Sequence, residues 1–154
     1  MVVLSVVVLA ACRSTNGDAD ALHQDVLGFD ELGGGVTSGV TESGLHVLRD
    51  QEAFDALWRE HTRLQLPTPP TPEVDFDVSM VVATFAGQKA TGGYTVRIEE
   101  VLRMPETAGR QSQIIVRTSE TVPGADAMTT QMTTSPFHMV RVQKADGDSV
   151  HVPE

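Results

Sequence analysis

A single cysteine, Cys12, is present in 154 residues, which excludes an intrachain disulfide and any cysteine-rich zinc site. Basic residues are scarce: 11 Lys and Arg stand against 21 Asp and Glu, a net charge of −10. A chain that binds nucleic acid needs the opposite surplus to displace counterions from phosphates, so that partner class is set aside, as is electrostatic docking on anionic lipid. Aromatic residues make up only 5% of the chain. No apolar run reaches the roughly 20 residues a membrane-spanning helix takes. What remains is ordinary globular composition, 40% hydrophobic and 21% charged, enough for one domain with a real core.

The longest apolar run is Met1 to Ala11, MVVLSVVVLAA, and it meets Cys12 directly. It has the proportions of a signal-peptide h-region ending in small residues. Leu9-Ala10-Ala11-Cys12 looks like a bacterial lipobox. That resemblance implies cleavage before Cys12, diacylglycerol on its sulfur and an acyl chain on the new amine, a stable anchor to a membrane of the bacterial envelope. The expected organisation is therefore a lipoprotein signal peptide at 1–11, a lipidated cysteine with a polar tether at 12–25, and one domain at 26–154. The tether, RSTNGDADALHQD, is acidic and without periodicity.

Along the domain, Val26 to Leu32 reads as a short strand ending in a turn at Gly33-Gly34-Gly35. Leu45 to Leu48 reads as a second strand. Asp50 offers a carboxylate to the free amides of a helix start, and Gln51 to Thr62 follows without Gly or Pro. Phe54, Leu57, Trp58 and His61 recur at helical spacing, a stripe assigned to the core. Leu66 to Pro72 holds four of the eight prolines and predicts an extended connector. Met80 to Phe85 fits a strand buried on both faces. Tyr94, Val96 and Ile98 alternate with polar residues, a strand with one wet face, and Val101-Leu102 breaks the alternation as a bulge would. Further strands are expected at 113–118, 137–142 and 149–152. The sum is an α+β, β-rich fold: a mainly antiparallel sheet of about six or seven strands with one amphipathic helix, about 51–62, packed on it.

Catalytic spacing is hard to find. The five histidines, His23, His46, His61, His138 and His151, show no HxxxH or HExxH pattern. Ser135, His138 and Asp126 or Asp146 can be drawn as a triad, but no GxSxG elbow supports it. The adjacent acidic pairs Glu99-Glu100 and Asp30-Glu31 point to opposite faces of a strand, which does not make a glycosidase pair. Gly87 to Gly93, GQKATGG, lacks the Lys-Ser/Thr of a phosphate loop and precedes a strand instead of a helix. A hairpin whose glycines supply positive φ is the expected reading. Thr121 to Pro136 is long, hydroxyl-rich and without structure of its own, the kind of loop that often carries function.

Several of these segments resemble the PrcB C-terminal domain family. They are Phe54-x-x-Leu57-Trp58, the proline connector, Val74-Asp75-Phe76, Phe85-Ala86-Gly87-Gln88-Lys89-x-Thr91-Gly92-Gly93-Tyr94-x-Val96-x-Ile98, and Thr134-Ser135-Pro136-Phe137-His138-Met139-Val140. The likeness runs from about Gly28 to Val152, with Phe137 where tyrosine is commoner. The family is named for an auxiliary lipoprotein of a bacterial surface protease complex, and it carries no established catalytic residues. The resemblance thus implies a non-catalytic accessory module assisting an envelope protease. The expected contact residues are Lys89, Thr91 and Tyr94 on the central loop, with Met128, Met132 and Phe137 around the later one. No catalytic residue, metal or cofactor is expected. The competing readings are a small-molecule- or metal-binding lipoprotein, a hydrolase built on Ser135 and His138, and a protease inhibitor acting through 121–136.

Overall fold

The computed structural model describes residues 24–153. The signal peptide expected at 1–11, Cys12 and all but the last two residues of the tether expected at 12–25 lie outside the described residues; of those two, Asp25 already belongs to β1. The chain runs β1 (Asp25–Leu27), β2 (Phe29–Gly35), β3 (Ser43–Leu48), α1 (Gln51–Thr62), β4 (Ser79–Ala86), β5 (Thr95–Met104), β6 (Gln113–Thr121), β7 (Phe137–Gln143) and β8 (Asp148–Pro153). The described residues form a β-rich fold with one helix, as the sequence predicts. Among the described residues the strands number eight and form two four-stranded sheets, ordered β1-β5-β6-β8 and β2-β7-β4-β3. Every pairing is antiparallel except β6 with β8.

The period of two along β4 explains the layering. Met80 and Val82 face the other sheet and join Ile98, Val101, Ile114, Val116, Val140 and Val142 in the inter-sheet core. Val81, Ala83 and Phe85 face the helix and pack with Leu57 and Trp58 or with Phe54. Met80 to Ala86 is therefore buried throughout, which is why its sequence shows no alternation. The helix starts where expected: Asp50 Oδ1 accepts from Ala53 N–H at 2.8 Å. Its stripe lies on the second sheet, with Phe54 fully buried and His61 nearly so. Burying Phe54 contributes about 1.5–3 kcal/mol before entropy. The proline connector then folds back across the helix, where Pro69 O accepts from Trp58 Nε1 at 3.1 Å.

Three local expectations change. The segment after β4 is not a hairpin, because β4 and β5 belong to different sheets. Gly87 and Gly93 do adopt positive φ, 75° and 91°, but they turn the chain across the sandwich. The glycine triplet is not a turn either: Gly33, Gly34 and Gly35 are inside β2, opposite Met139, His138 and Phe137 of β7. Finally, the register shift in β5 falls between Ile98 and Glu100, upstream of Val101-Leu102.

Candidate functional site

Six strand ends meet at one pole of the sandwich. Gly35 and Phe85 both stand opposite Phe137, Ser43 opposite Ala86, and Thr95 opposite Thr121. The loops 36–42, 87–94 and 122–136 therefore lie together, far apart in sequence and adjacent in space.

Backbone hydrogen bonds hold the three loops to one another. Lys89 and Thr134 exchange both of theirs, at 2.8 and 2.9 Å. Gln88 N–H donates to Thr41 O at 2.9 Å, Gly92 N–H to Thr130 O at 3.0 Å and Ser135 N–H to Val36 O at 2.8 Å. The Thr134 hydroxyl donates to Thr91 O at 2.9 Å. Glycine is needed where the 87–94 loop meets the 122–136 loop. A Cβ on Gly92 would stand 2.3 Å from Thr130 Oγ1, and one on Gly93 3.0 Å from Pro123 Cβ in a conformation that L-residues avoid. The base of the 122–136 loop is thus tied down, whatever its tip does.

The structure brings Lys89, Thr91 and Tyr94 together, and it gives each an internal task. Lys89 Nζ lies 2.7 Å from Glu120 Oε1 and 5.2 Å from the centre of the Tyr94 ring. Both contacts are attractive, the second through the ring's negative face. Thr91 supplies its carbonyl to Thr134. Met128 and Met132 project from the neighbouring loop into solvent, as does Val122. Phe137 is half-buried, its ring 4.2 Å from that of His61. His61 is enclosed by Phe137, Trp58 and Phe85, and its Nδ1 lies 2.9 Å from the Ser38 hydroxyl. Burial holds its pKa below the ordinary 6.5.

Ser135 and His138 do not meet as a nucleophile and its base. His138 Nδ1 accepts the Ile98 N–H at 3.0 Å, a bond from one sheet to the other. Its Nε2 points toward Glu31, 3.6 Å away. Ser135 instead lines a separate, hydroxyl-rich cavity of about 330 Å³ with Ser38, Thr41 and Gln88. Among the described residues, no three His, Cys, Asp or Glu side chains come close enough to hold a metal ion. No described helix is long and apolar enough to cross a membrane.

Sequence reasoning missed the cross-sheet role of His138 and the neighbouring Glu31. The only available signal was the alternation of His138 with Phe137 and Met139, which places it on the inner face but does not name its partner.

Residues 80–143, from β4 through β7 and including both pole loops after β4, match the family model described as PrcB C-terminal. The resemblance read from the sequence is matched over that span. No curated protein and no solved structure matches the chain.

Proposed function

We propose that the chain is a non-catalytic accessory module of the bacterial envelope, anchored through lipid on Cys12, that binds another envelope protein at the loop pole. The PrcB match makes a protease the partner class to test first. The observation that carries this reading is the combination of exposed Met128, Met132 and Val122 with a tied-down loop base. Methionine is flexible and polarisable, suited to repacking against an incoming surface, and a fixed base lowers the ordering cost of that contact.

The direction of the strands supports the same reading. The chain joins the fold at Asp25, opposite Arg103, while the pole begins at Thr95 of the same strand β5. Those two points are separated by roughly 25 Å of strand. With lipid on Cys12, a chain that enters the sandwich at Asp25 would hold it by the end remote from the loops and leave the pole free to meet a partner.

The test is capture of an envelope protease from the producing cell by the full-length lipidated protein, wild type against Met128→Asp/Met132→Asp. Both side chains are exposed, so the double variant keeps its thermal stability and loses the protease. An identical captured set from both proteins refutes the assignment. A stoichiometric metal or small molecule in native mass spectra of chelator-free protein would replace this reading with a ligand-binding one.

A further inference from the structure

The sandwich opens where β1 gives way to β2. β1 pairs with β5 along Val101, Leu102 and Arg103, and after Gly28 the chain leaves that sheet to become the edge strand of the other. Thr95 to Ile98 of β5 is left with β6 on one side and, among the described residues, no strand on the other. Ile98 turns its N–H to that open side, where His138 takes it. By the two-residue period, Val96 turns its N–H and C=O the same way. Across a cavity of about 210 Å³ lie Glu31, Gly34 and Gly35 of β2.

His138 makes this cleft more than a gap. The ring is 4% exposed, and because Nδ1 accepts a hydrogen bond the ring proton sits on Nε2. That buried Nε2–H has no hydrogen-bond partner among the described residues, and His138 is one of the residues that line the cavity. Glu31 Oε2, at 3.6 Å, is beyond hydrogen-bond reach. The imidazole therefore relays a main-chain donor from Ile98 outward, to a point where an incoming acceptor would satisfy it. Glu31 itself is more than half exposed and makes no ion pair with a Lys or Arg among the described residues, although Arg97 lines the same cavity. Gly34 and Gly35 keep the arrangement possible: a Cβ on the first would stand 3.0 Å from His138 Cδ2, and on the second 3.2 Å from Phe137 Cε1.

We infer that this cleft receives an extended peptide segment of a partner protein, which pairs with Val96 on the open edge of β5, sets a main-chain carbonyl on His138 Nε2–H and a Lys or Arg side chain on Glu31. Strand addition to an uncovered edge draws its binding from main-chain hydrogen bonds and its selectivity from the side-chain sites beside them. The cleft opens at the loop pole, so the inference rests on the reading that this pole binds a protein, and it names the form the bound segment takes.

The test titrates the full-length chain with capped hexapeptides of alternating valine and threonine carrying one central lysine or one central glutamate. The readouts are the amide signals of Val96 and Ile98 and the His138 Nε2–H signal in NMR spectra. The lysine peptide shifts all three, and the glutamate peptide binds about three- to tenfold more weakly, as expected for exchanging one attraction for one repulsion at a half-exposed site. Glu31→Lys reverses the preference while leaving the fold intact, because the side chain is on an edge strand and exposed. N-methylation of alternate peptide amides abolishes the shifts. No shift at millimolar lysine peptide, or an unchanged preference in Glu31→Lys, overturns the inference. The two proposals separate cleanly: Met128→Asp/Met132→Asp leaves peptide binding unaltered. Partner capture without peptide shifts overturns the cleft alone, and peptide shifts without partner capture overturn the loop assignment alone.

Discussion

Replacing His138 by phenylalanine tests whether one side chain fastens the two sheets at their open corner. Phenylalanine keeps the ring volume against Gly34 and removes the acceptor that holds the Ile98 N–H at 3.0 Å. A buried donor left without a partner costs about 1–3 kcal/mol. The variant also removes the buried, unpartnered Nε2–H, which offsets part of that cost. The offset is incomplete, because the Glu31 carboxylate at 3.6 Å already favours a donor there electrostatically. The net expectation is a loss of about 1–2 kcal/mol, or about 3–4 °C in Tm per kcal/mol for a domain of this size. Urea unfolding measures the loss. Hydrogen exchange localises it: the Ile98 amide exchanges faster in His138→Phe, while the amides of α1, packed on the far face of the second sheet, keep their wild-type protection relative to global stability. An unchanged urea midpoint together with unchanged Ile98 exchange would refute the clamp.

Two further outcomes follow from the pole and its floor. Gly93→Ala forces an L-residue to φ 91° and drives a Cβ to 3.0 Å from Pro123, at a cost of about 1–2 kcal/mol; the Gly92 amide, bonded to Thr130 O, should lose exchange protection before the strands do, and equal protection in both proteins would contradict the account. His61 has a folded-state pKa depressed by burial below 6.5, so below that pH the unfolded chain binds more protons than the folded one, and the stability present above pH 6.5 is lost as pH falls through the window toward the folded value. His61→Gln should flatten that part of the urea-stability profile between pH 7 and 5, leaving the share due to His46, which burial depresses in the same direction; an identical slope in the variant would show that His61 titrates normally.

Much of the fold is legible in the residues because local chemistry and burial agree. Asp50 caps the helix, Phe54, Leu57 and Trp58 give it a face, and Met80 to Ala86 shows by its unbroken apolar run that both its sides are covered. The errors arise where a local rule has two structural solutions. Strand, glycine loop, strand describes a hairpin and a crossing between sheets equally well. β4 is flanked by β3 and β7, so the strand after the loop has no place beside it and joins the opposite sheet. Gly33 to Gly35 carries the composition of a turn, yet Gly34 and Gly35 answer to rings about a hundred residues later, Phe137 and His138. At the site, the grouping of Lys89, Thr91 and Tyr94 was legible from their spacing. Their ties to Glu120 and Thr134 were not, because nothing local encodes which distant strand end arrives beside them.

The open corner and the clamp that crosses it have a common origin in β5. Between Ile98 and Glu100 the strand takes up an extra residue, which bends it and interrupts its ladder. β1 pairs with β5 only beyond that point, at Val101 to Arg103, and the chain then departs through Gly28 to the other sheet. The Ile98 amide consequently faces an edge that no strand covers among the described residues, and burial there demands an acceptor. His138, paired across β7 with Gly34, supplies one only because Gly34 has no side chain to occupy the space of its ring. A single irregularity in β5 thus calls for a histidine on one neighbouring strand and a glycine on another. The resulting donor on Nε2 is a by-product of fastening the sheets. Natural edges are usually blunted by charge, proline or cover. Here Thr95 to Ile98 carries one charge, Arg97, but no proline and, among the described residues, no strand cover, and the Glu31 carboxylate across the cleft makes no ion pair with a Lys or Arg among them, so the stretch around Val96 retains the features of an edge that accepts a strand.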